Sequence, residues 1–316
     1  MANDTTAVLK TGGLSFTRSA DISMEEEDLF ISPTEVKVDY VFRNTSDKPI
    51  DTIVAFPMPA ITGGPASNMA AGDPEADNFL NFTVVQDGVE IKPELQQRVF
   101  VADIDMTDVL VKAGVSLMPL STKTSEQLAK LPKDVTDDLI ARGLIMVEEY
   151  DTGQGMQKSF MPLWTLKSAY WWRTTYPAGK DVRVSHRYKP SVGGTVAITY
   201  IMEGKVREAE YADYQKKYCI DDTFLKIGLK ADQDMRDGKK YLYESWISYI
   251  LTTGGNWYGP IKKFTLTVDK GDKANFVSFC GTDVKKIGPT SFQMTATDFY
   301  PERDLDILLL QPTQWQ

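Results

Sequence analysis

Histidine and cysteine are almost missing from this sequence. Its 316 residues contain one histidine, His186, and two cysteines, Cys219 and Cys280. So few nitrogen and sulfur ligands cannot build a zinc site of the usual kind, and no metal is expected. Any histidine mechanism would rest on His186 alone. The cysteines form no Cys-x-x-Cys pair and neither has a histidine close by in sequence, which argues against a reactive thiol. Long apolar runs are also missing. None reaches the ~18 residues of a transmembrane helix. Basic residues are outnumbered 35 to 44, for a net charge of −9 with histidine neutral. That balance argues against non-specific nucleic-acid binding, which needs a basic footprint. Gly193-Gly194 and Gly254-Gly255 lack the flanking residues of a phosphate loop and read as hairpin turns. No dinucleotide fingerprint and no Gly-x-Ser-x-Gly elbow is present, so no cofactor is expected and a serine hydrolase is disfavoured.

What is present is an ordinary globular composition, 42% hydrophobic and 25% charged, with a length that suggests about two domains. The dominant period is two. Val36, Val38, Tyr40 and Phe42 alternate with polar residues, as do Ile50, Thr52, Val54 and Phe56, and a meander of antiparallel strands is expected. Leu80, Phe82 and Val84 continue it, and Asp87-Gly88 marks a hairpin back to Val89 and Ile91. Thr62-Gly63-Gly64-Pro65 to Asp77 reads as a long surface loop. Near 103–150 the period changes, predicting a helical insertion. Asp108–Ala113 ends at Gly114, a capping box at Thr124–Gln127 leads to Leu128 and Leu131, and Pro132 opens a further helix before Gly143. Strands return after 160, with Val182, Val184, His186 and Tyr188 on one face. A helical stretch near 206–237, with Asp221 as N-cap, precedes strands at 241–252, 264–268, 275–280, 292–296 and 305–309. The expected fold is mainly β (α+β), with two antiparallel sandwich-like domains. Residues 1–202 carry the helical insertion, and 203–316 form a sheet with a helical lead-in.

Candidate sites are few. His186 reads as a core histidine with a hydrogen-bond partner. Trp164, Trp171, Trp172 and Tyr176 belong to an aromatic cluster with two readings: packing at a domain junction, or a platform for a sugar ring or a protein partner. Adjacent Trp171 and Trp172 must face opposite sides of a strand. Glu25–Asp28 and Glu148, Glu149 and Asp151 are carboxylate clusters. They read as solvated loops, or as the acid pair that glycoside hydrolysis needs. Asp73, Asp77 and Asn78 offer oxygens for calcium without the EF-hand spacing. Asn3, Asn44 and Asn81 head glycosylation sequons that matter only in a eukaryotic secretory route.

Cys219 and Cys280 are either buried free thiols or one disulfide of an exported protein, and the bridge is the preferred reading. It would close a loop of about 60 residues, worth roughly 4 kcal/mol. The N-terminus has no charged segment followed by an apolar one, so no signal peptide is read there. Met1-Ala2 before a polar stretch fits the start of a mature exported chain as well as a cytosolic start.

Three stretches carry a family resemblance. They are Asp28-Leu29-Phe30-Ile31-Ser32 through Ala55-Phe56-Pro57-Met58-Pro59; Tyr176-Pro177-Ala178-Gly179-Lys180 with His186-Arg187-Tyr188-Lys189-Pro190-Ser191-Val192-Gly193; and Trp257-Tyr258-Gly259-Pro260-Ile261 with Phe299-Tyr300-Pro301-Glu302-Arg303-Asp304-Leu305. The chain resembles a proteobacterial family of exported proteins known only as a domain of unknown function. That resemblance implies a leader ending before a sequence such as Ala2-Asn3-Asp4, a periplasmic or extracellular location, and the Cys219–Cys280 bridge. It transfers no catalytic residue. The function expected is a non-enzymatic binding or interaction protein with an unknown protein or glycan ligand. The alternative is a carboxylate-dependent glycan hydrolase or carbohydrate-binding protein of the cell envelope.

Overall fold

The computed structural model describes residues 3–10, 13–65, 69–70, 72–151, 153 and 155–313. The chain opens with β1 (Thr5–Lys10), β2 (Gly13–Thr17), β3 (Ile22–Ile31), β4 (Val36–Asn44) and β5 (Ile50–Pro57). Two short strands, β6 (Ile61–Thr62) and β7 (Met69–Ala70), flank the Gly- and Pro-rich stretch. Then come β8 (Thr83–Gln86), β9 (Val89–Ile91), β10 (Glu94–Val101) and β11 (Ile104–Asp105). The insertion holds α1 (Thr107–Ala113), α2 (Thr122–Ala129) and α3 (Lys133–Ala141). It leads into β12 (Ile145–Asp151), β13 (Met156–Pro162), β14 (Thr165–Tyr176), β15 (Asp181–Tyr188) and β16 (Val192–Gly194). A small hairpin, β17 (Ile201–Met202) and β18 (Lys205–Val206), precedes α4 (Glu208–Tyr218) and α5 (Asp222–Arg236). The chain ends with β19 (Leu242–Tyr249), β20 (Ile261–Asp269), β21 (Phe276–Phe279), β22 (Lys285–Lys286), β23 (Ser291–Phe299) and β24 (Leu305–Pro312).

The fold is mainly β, as the period-two alternation requires. Three sheets carry it. A seven-stranded sheet runs β11-β10-β14-β5-β1-β2, with β6 also on β14. An eight-stranded sheet runs β22-β23-β20-β3-β4-β15-β8-β9, and a five-stranded one runs β21-β24-β19-β16-β7. One contiguous core draws on all three, from Phe42 and Phe264 to Phe56 and Trp172 and to Ile247 and Leu309. The eight-stranded sheet meets the seven-stranded one where His186 packs on Phe56, with ring centroids 5.0 Å apart. It meets the five-stranded one where the Tyr40 and Tyr249 hydroxyls lie 3.1 Å apart.

This arrangement corrects the expected division at 203. The two stretches are not separate sandwiches. β3 from the first half pairs in parallel with β20 from the second, and β16 pairs with β19. Hydrogen-bonded ladders therefore cross the proposed boundary, and one core lies beneath them. The helices α4 and α5 cover the outer face of the five-stranded sheet in a second core, with Leu308 and Leu310 pointing to the helices. Ile307 and Leu309 point the other way, into the main core. Burial on both faces explains why residues 307–310 of β24 form an unbroken apolar run.

Local signals held at most termini. Asp87 and Gly88 both have positive φ, 49° and 81°, as a two-residue hairpin with primed geometry demands. Gly114 closes α1 in the left-handed region, and the Asp221 carboxylate accepts from Phe224 N at 2.8 Å. The α2 start differs from the expected capping box. Ser121 is the N-cap, and Glu75, 46 residues away, accepts from the Ser121 hydroxyl at 2.7 Å. Glu75 also accepts from Thr122 N at 2.7 Å. These hydrogen bonds hold the Glu75 carboxyl below its ordinary range. The expected long loop is thus partly structured. It supplies Glu75 to α2 and β7 to the five-stranded sheet, while its residues 66–68 and 71 lie outside the described residues.

Candidate functional site

The interior polar centre begins with the first described residues. Asn3, Asp4 and Thr5 are fully buried, at the seam where the three sheets meet. Asn3 Nδ2 donates to Glu27 Oε2 at 3.0 Å. Asn3 Oδ1 accepts from the Tyr40 hydroxyl at 3.0 Å and the Tyr249 hydroxyl at 2.6 Å. Asp4 Oδ1 lies 2.9 Å from His186 Nε2, and the Trp257 indole donates to Asp4 O at 2.9 Å. His186 is therefore a core histidine with a carboxylate partner, boxed in by Tyr40, Phe56, Phe82 and Trp172. Glu27 reaches the interior because of a bulge in the β3–β4 ladder between Met24 and Glu26. The extra residue flips the alternation and puts Glu27 on the face of Leu29 and Ile31. Burial pushes the Glu27 carboxyl up to about 8, and nearby Asp4 adds to the rise. Burial also raises Asp4, although His186 pulls it back.

The aromatic residues singled out by sequence all lie inside. Trp164 is fully buried, and its indole donates to Leu117 O at 2.8 Å, tying the helical insertion to the sheet. Trp171 and Trp172 do face opposite sides of β14, paired with Ala55 and Val54. Trp172 enters the main core. Trp171 joins a small separate cluster with Ala7, Ile53 and Ala55. The β1–β2 hairpin bends over that cluster, fixed by Leu14 N donating to Gln96 Oε1 at 2.9 Å. Tyr176 packs edge-on against Phe42 and Trp257. The carboxylate clusters are dispersed. Glu27 is internal, while Glu148, Glu149 and Asp151 lie on the β12–β13 ribbon. Asn78 is spent on the backbone of Phe82 and on the Tyr170 hydroxyl. Asn3 and Asn44 are fully buried, which removes two of the three sequons as glycan acceptors.

A solvent-open recess lies beside Leu251, whose carbonyl accepts from Asn3 Nδ2. Its floor is Phe264 and Leu266 from β20, Met294 and Phe299 from β23, and Leu305 from β24. Phe264 and Phe299 stack with centroids 4.4 Å apart and planes 8° from parallel. Tyr300, Glu302, Arg303 and Asp304 form the rim, and the Cys219–Cys280 disulfide forms one wall. The cavity measures about 520 Å³, within the usual range for small-ligand sites.

The wall is rigid for identifiable reasons. Helix α4 ends with Cys219 in the left-handed region, φ 55°. Its last carbonyls, which have no intrahelical donors, need partners. Arg303 Nη2 donates to Lys216 O at 3.0 Å and Lys217 O at 2.9 Å. Ser278 Oγ donates to Tyr218 O at 2.9 Å. On the other side of the rim, Asp304 accepts from Thr252 N at 3.1 Å and from the Thr252 hydroxyl at 2.7 Å. The stretch Phe299–Leu305, read from sequence only as part of a family resemblance, supplies this rim, and nothing in the sequence pointed to a recess there.

The profile of the family described as Domain of unknown function (DUF4424) matches residues 2–308. The chain belongs to the DUF4424 family. Among curated proteins nothing matches. Among solved structures, a candidate nutrient-binding protein from Legionella pneumophila is similar over 98% of this chain and 70% of that one, at 14% identity and a TM-score of 0.46. An M1 zinc metallopeptidase from Deinococcus radiodurans is similar over 93% of this chain, at 8% identity and a TM-score of 0.27. This DUF4424 chain spans 43% of that enzyme. At such scores the likenesses assign no ligand, metal or reaction to this chain. No helix among the described residues is long and apolar enough to cross a membrane.

Proposed function

We propose that this DUF4424 protein is a non-enzymatic binding protein of the periplasm or extracellular space. Its small-ligand site is the recess beside the Cys219–Cys280 disulfide. The observation that carries this reading is the construction of the recess. A stacked aromatic floor is framed by a charged rim, and that rim is fixed by a covalent bridge and by the Arg303 and Ser278 caps on α4. An apolar floor supplies affinity, a few fixed polar groups supply orientation, and prior rigidity lowers the ordering cost of binding. The disulfide supports an oxidising compartment. The ligand that fits is a small molecule with a flat or branched apolar body and one polar end facing Arg303 and Asp304. Trp164, Trp171, Trp172 and Tyr176 serve in this reading as scaffold beneath the surface.

The test is a thermal-shift screen of the full chain against small metabolites, soluble glycans and peptidoglycan fragments. A ligand that binds only the folded state raises Tm by mass action. A shift that disappears in Met294→Trp, which fills the recess, supports the site. A panel without any shift, or a shift that survives Met294→Trp, counts against it.

A further inference from the structure

The seven-stranded sheet contains a fork. At Thr5–Ala7, β1 pairs with β5 on one side, ending at Ala7↔Ile53. Beyond Ala7 the two strands part. β1 stays with β2 as far as Lys10↔Gly13, and β5 stays with β14 as far as Ile50↔Tyr176. Each strand has two hydrogen-bonding edges. Along Val8–Lys10 and Ile50–Thr52 one edge is used by the outer neighbour and the other faces the fork. A cleft of about 600 Å³ occupies the gap, lined by Val8, Leu9, Asp51, Thr52, Arg173 and Thr174.

The β1 side of the fork, Val8 and Leu9, lacks the side chains of a protected edge, while Asp51 and Thr52 line the β5 side. Protected edges are usually blunted by proline, inward charge or a covering element. Here Val8 and Leu9 are 39% and 46% exposed. Ala7 and Ile53 close the apex as part of the Trp171 cluster. Arg173 stands over the Trp171 ring at 6.0 Å. Its neighbour Asp51 is taken by the Thr175 hydroxyl, and among the described residues Arg173 joins no ion pair.

We infer that this fork receives an extended segment of a partner protein as an added strand, with one carboxylate side chain in register with Arg173. Two facing edges call for a backbone, because only a polypeptide repeats donors and acceptors at ladder spacing. The apolar flank of Val8 and Leu9 calls for alternating β-branched residues, and Arg173 calls for an acid placed on its side of the fork. A second copy of this chain is the poorer occupant, since two molecules each carrying a net charge of −9 repel one another. The site is independent of the recess beside the disulfide.

The experiment is to pan a random octapeptide display library on the full chain, then measure the enriched peptides as free synthetic probes by titration. The expected peptides carry an acidic residue flanked by alternating Val, Ile or Thr. Methylating alternate backbone nitrogens weakens them at least tenfold. Arg173→Glu, an exposed position that leaves the fold intact, weakens them about tenfold, and replacing the peptide acid by lysine restores binding to that variant. Hydrogen exchange at residues 8–10 and 50–52 slows on binding. Met294→Trp binds the peptides normally, which separates this test from that of the recess. No enrichment, enrichment insensitive to Arg173→Glu, or peptides indifferent to N-methylation overturns the inference. So does concentration-dependent dimerisation that occupies the fork.

Discussion

Replacing Glu27 by glutamine preserves the shape of a buried carboxyl and removes its titration. Glu27 has an ordinary value of 4.5, which the fold raises to about 8, mainly by burial. Between those values the folded chain holds a proton that the unfolded chain has released. Stability linked to Glu27 is therefore fully present below pH 4.5 and is lost as the pH rises through about 8. At about 1.4 kcal/mol per pH unit, the ceiling of this effect is about 5 kcal/mol. At about 2.1 cal/mol/K per residue, that ceiling corresponds to about 7 °C in Tm for a chain of this length. Glutamine keeps an oxygen for Asn3 Nδ2, which now donates to Glu27 Oε2 at 3.0 Å. The assay is urea unfolding of both proteins at pH 5, 6, 7 and 8. The wild type should lose stability relative to Glu27→Gln by several kcal/mol across that series, and the variant should be the more stable at pH 8. Asp4 couples to Glu27, so some pH dependence will remain in the variant. Parallel stability curves would show that Glu27 does not carry a proton into the fold, and the reasoning would fail.

Serine at both Cys219 and Cys280 opens a loop spanning a sequence separation of 61. The expected loss is about 4 kcal/mol, measured by denaturant unfolding, and a change below about 1 kcal/mol would contradict the loop-entropy account. Glu244→Ala removes the carboxylate that accepts from Thr199 N at 2.7 Å and from the Tyr214 hydroxyl at 2.7 Å. It should cost about 3 kcal/mol, because two donors lose a buried acceptor, and amide exchange at Thr199 should accelerate; an unchanged rate would refute the role. Asp221→Ala should cost about 1 kcal/mol through loss of the α5 cap, with Asp221→Asn recovering most of it.

Sequence legibility followed the physics of each signal. Period-two alternation is local, so β4, β15 and β20 were readable, as was the inward face of His186. Turn and cap chemistry is also local, and Asp87-Gly88, Gly114 and Asp221 behaved accordingly. Strand order is not local. The parallel β3–β20 pairing joins residues more than 230 positions apart, and nothing in either strand names its neighbour. The division at 203 failed for that reason. The α2 cap was misplaced by three residues: Ser121, a local cap whose hydroxyl accepts from Lys123 N at 3.1 Å, was passed over for Thr124, and the added support from Glu75 comes from a distant loop. The bridge was readable because only two cysteines exist. The recess beside it was not, because its floor and rim come from strands far apart in sequence.

The least legible element is the one at the centre of the molecule. Pattern reading finds interior strands by their apolar residues, and Asn3-Asp4-Thr5-Thr6 has none. Yet all four are buried. The reason lies in what they meet. Where three sheets converge, strand ends leave backbone groups unpaired, and apolar side chains cannot satisfy them. Ile250 O, just past the end of β19, accepts from Asn3 N at 2.8 Å. Leu251 O accepts from Asn3 Nδ2 at 3.3 Å. The Thr253 hydroxyl and the Trp257 indole, both in the turn that follows, donate to Asn3 O and Asp4 O. A polar segment thus pairs backbone groups that an apolar one would leave alone at about 1–3 kcal/mol each, although Asp4 Oδ2, Glu27 Oε1 and His186 Nδ1 have no hydrogen-bond partner among the described residues. The same logic admits Glu27 and His186 to the core. They are there to complete the pairing of Asn3 and Asp4, and burial together with the nearby Asp4 carboxyl raises Glu27 to about 8 against the opposing pull of the Asn3 amide.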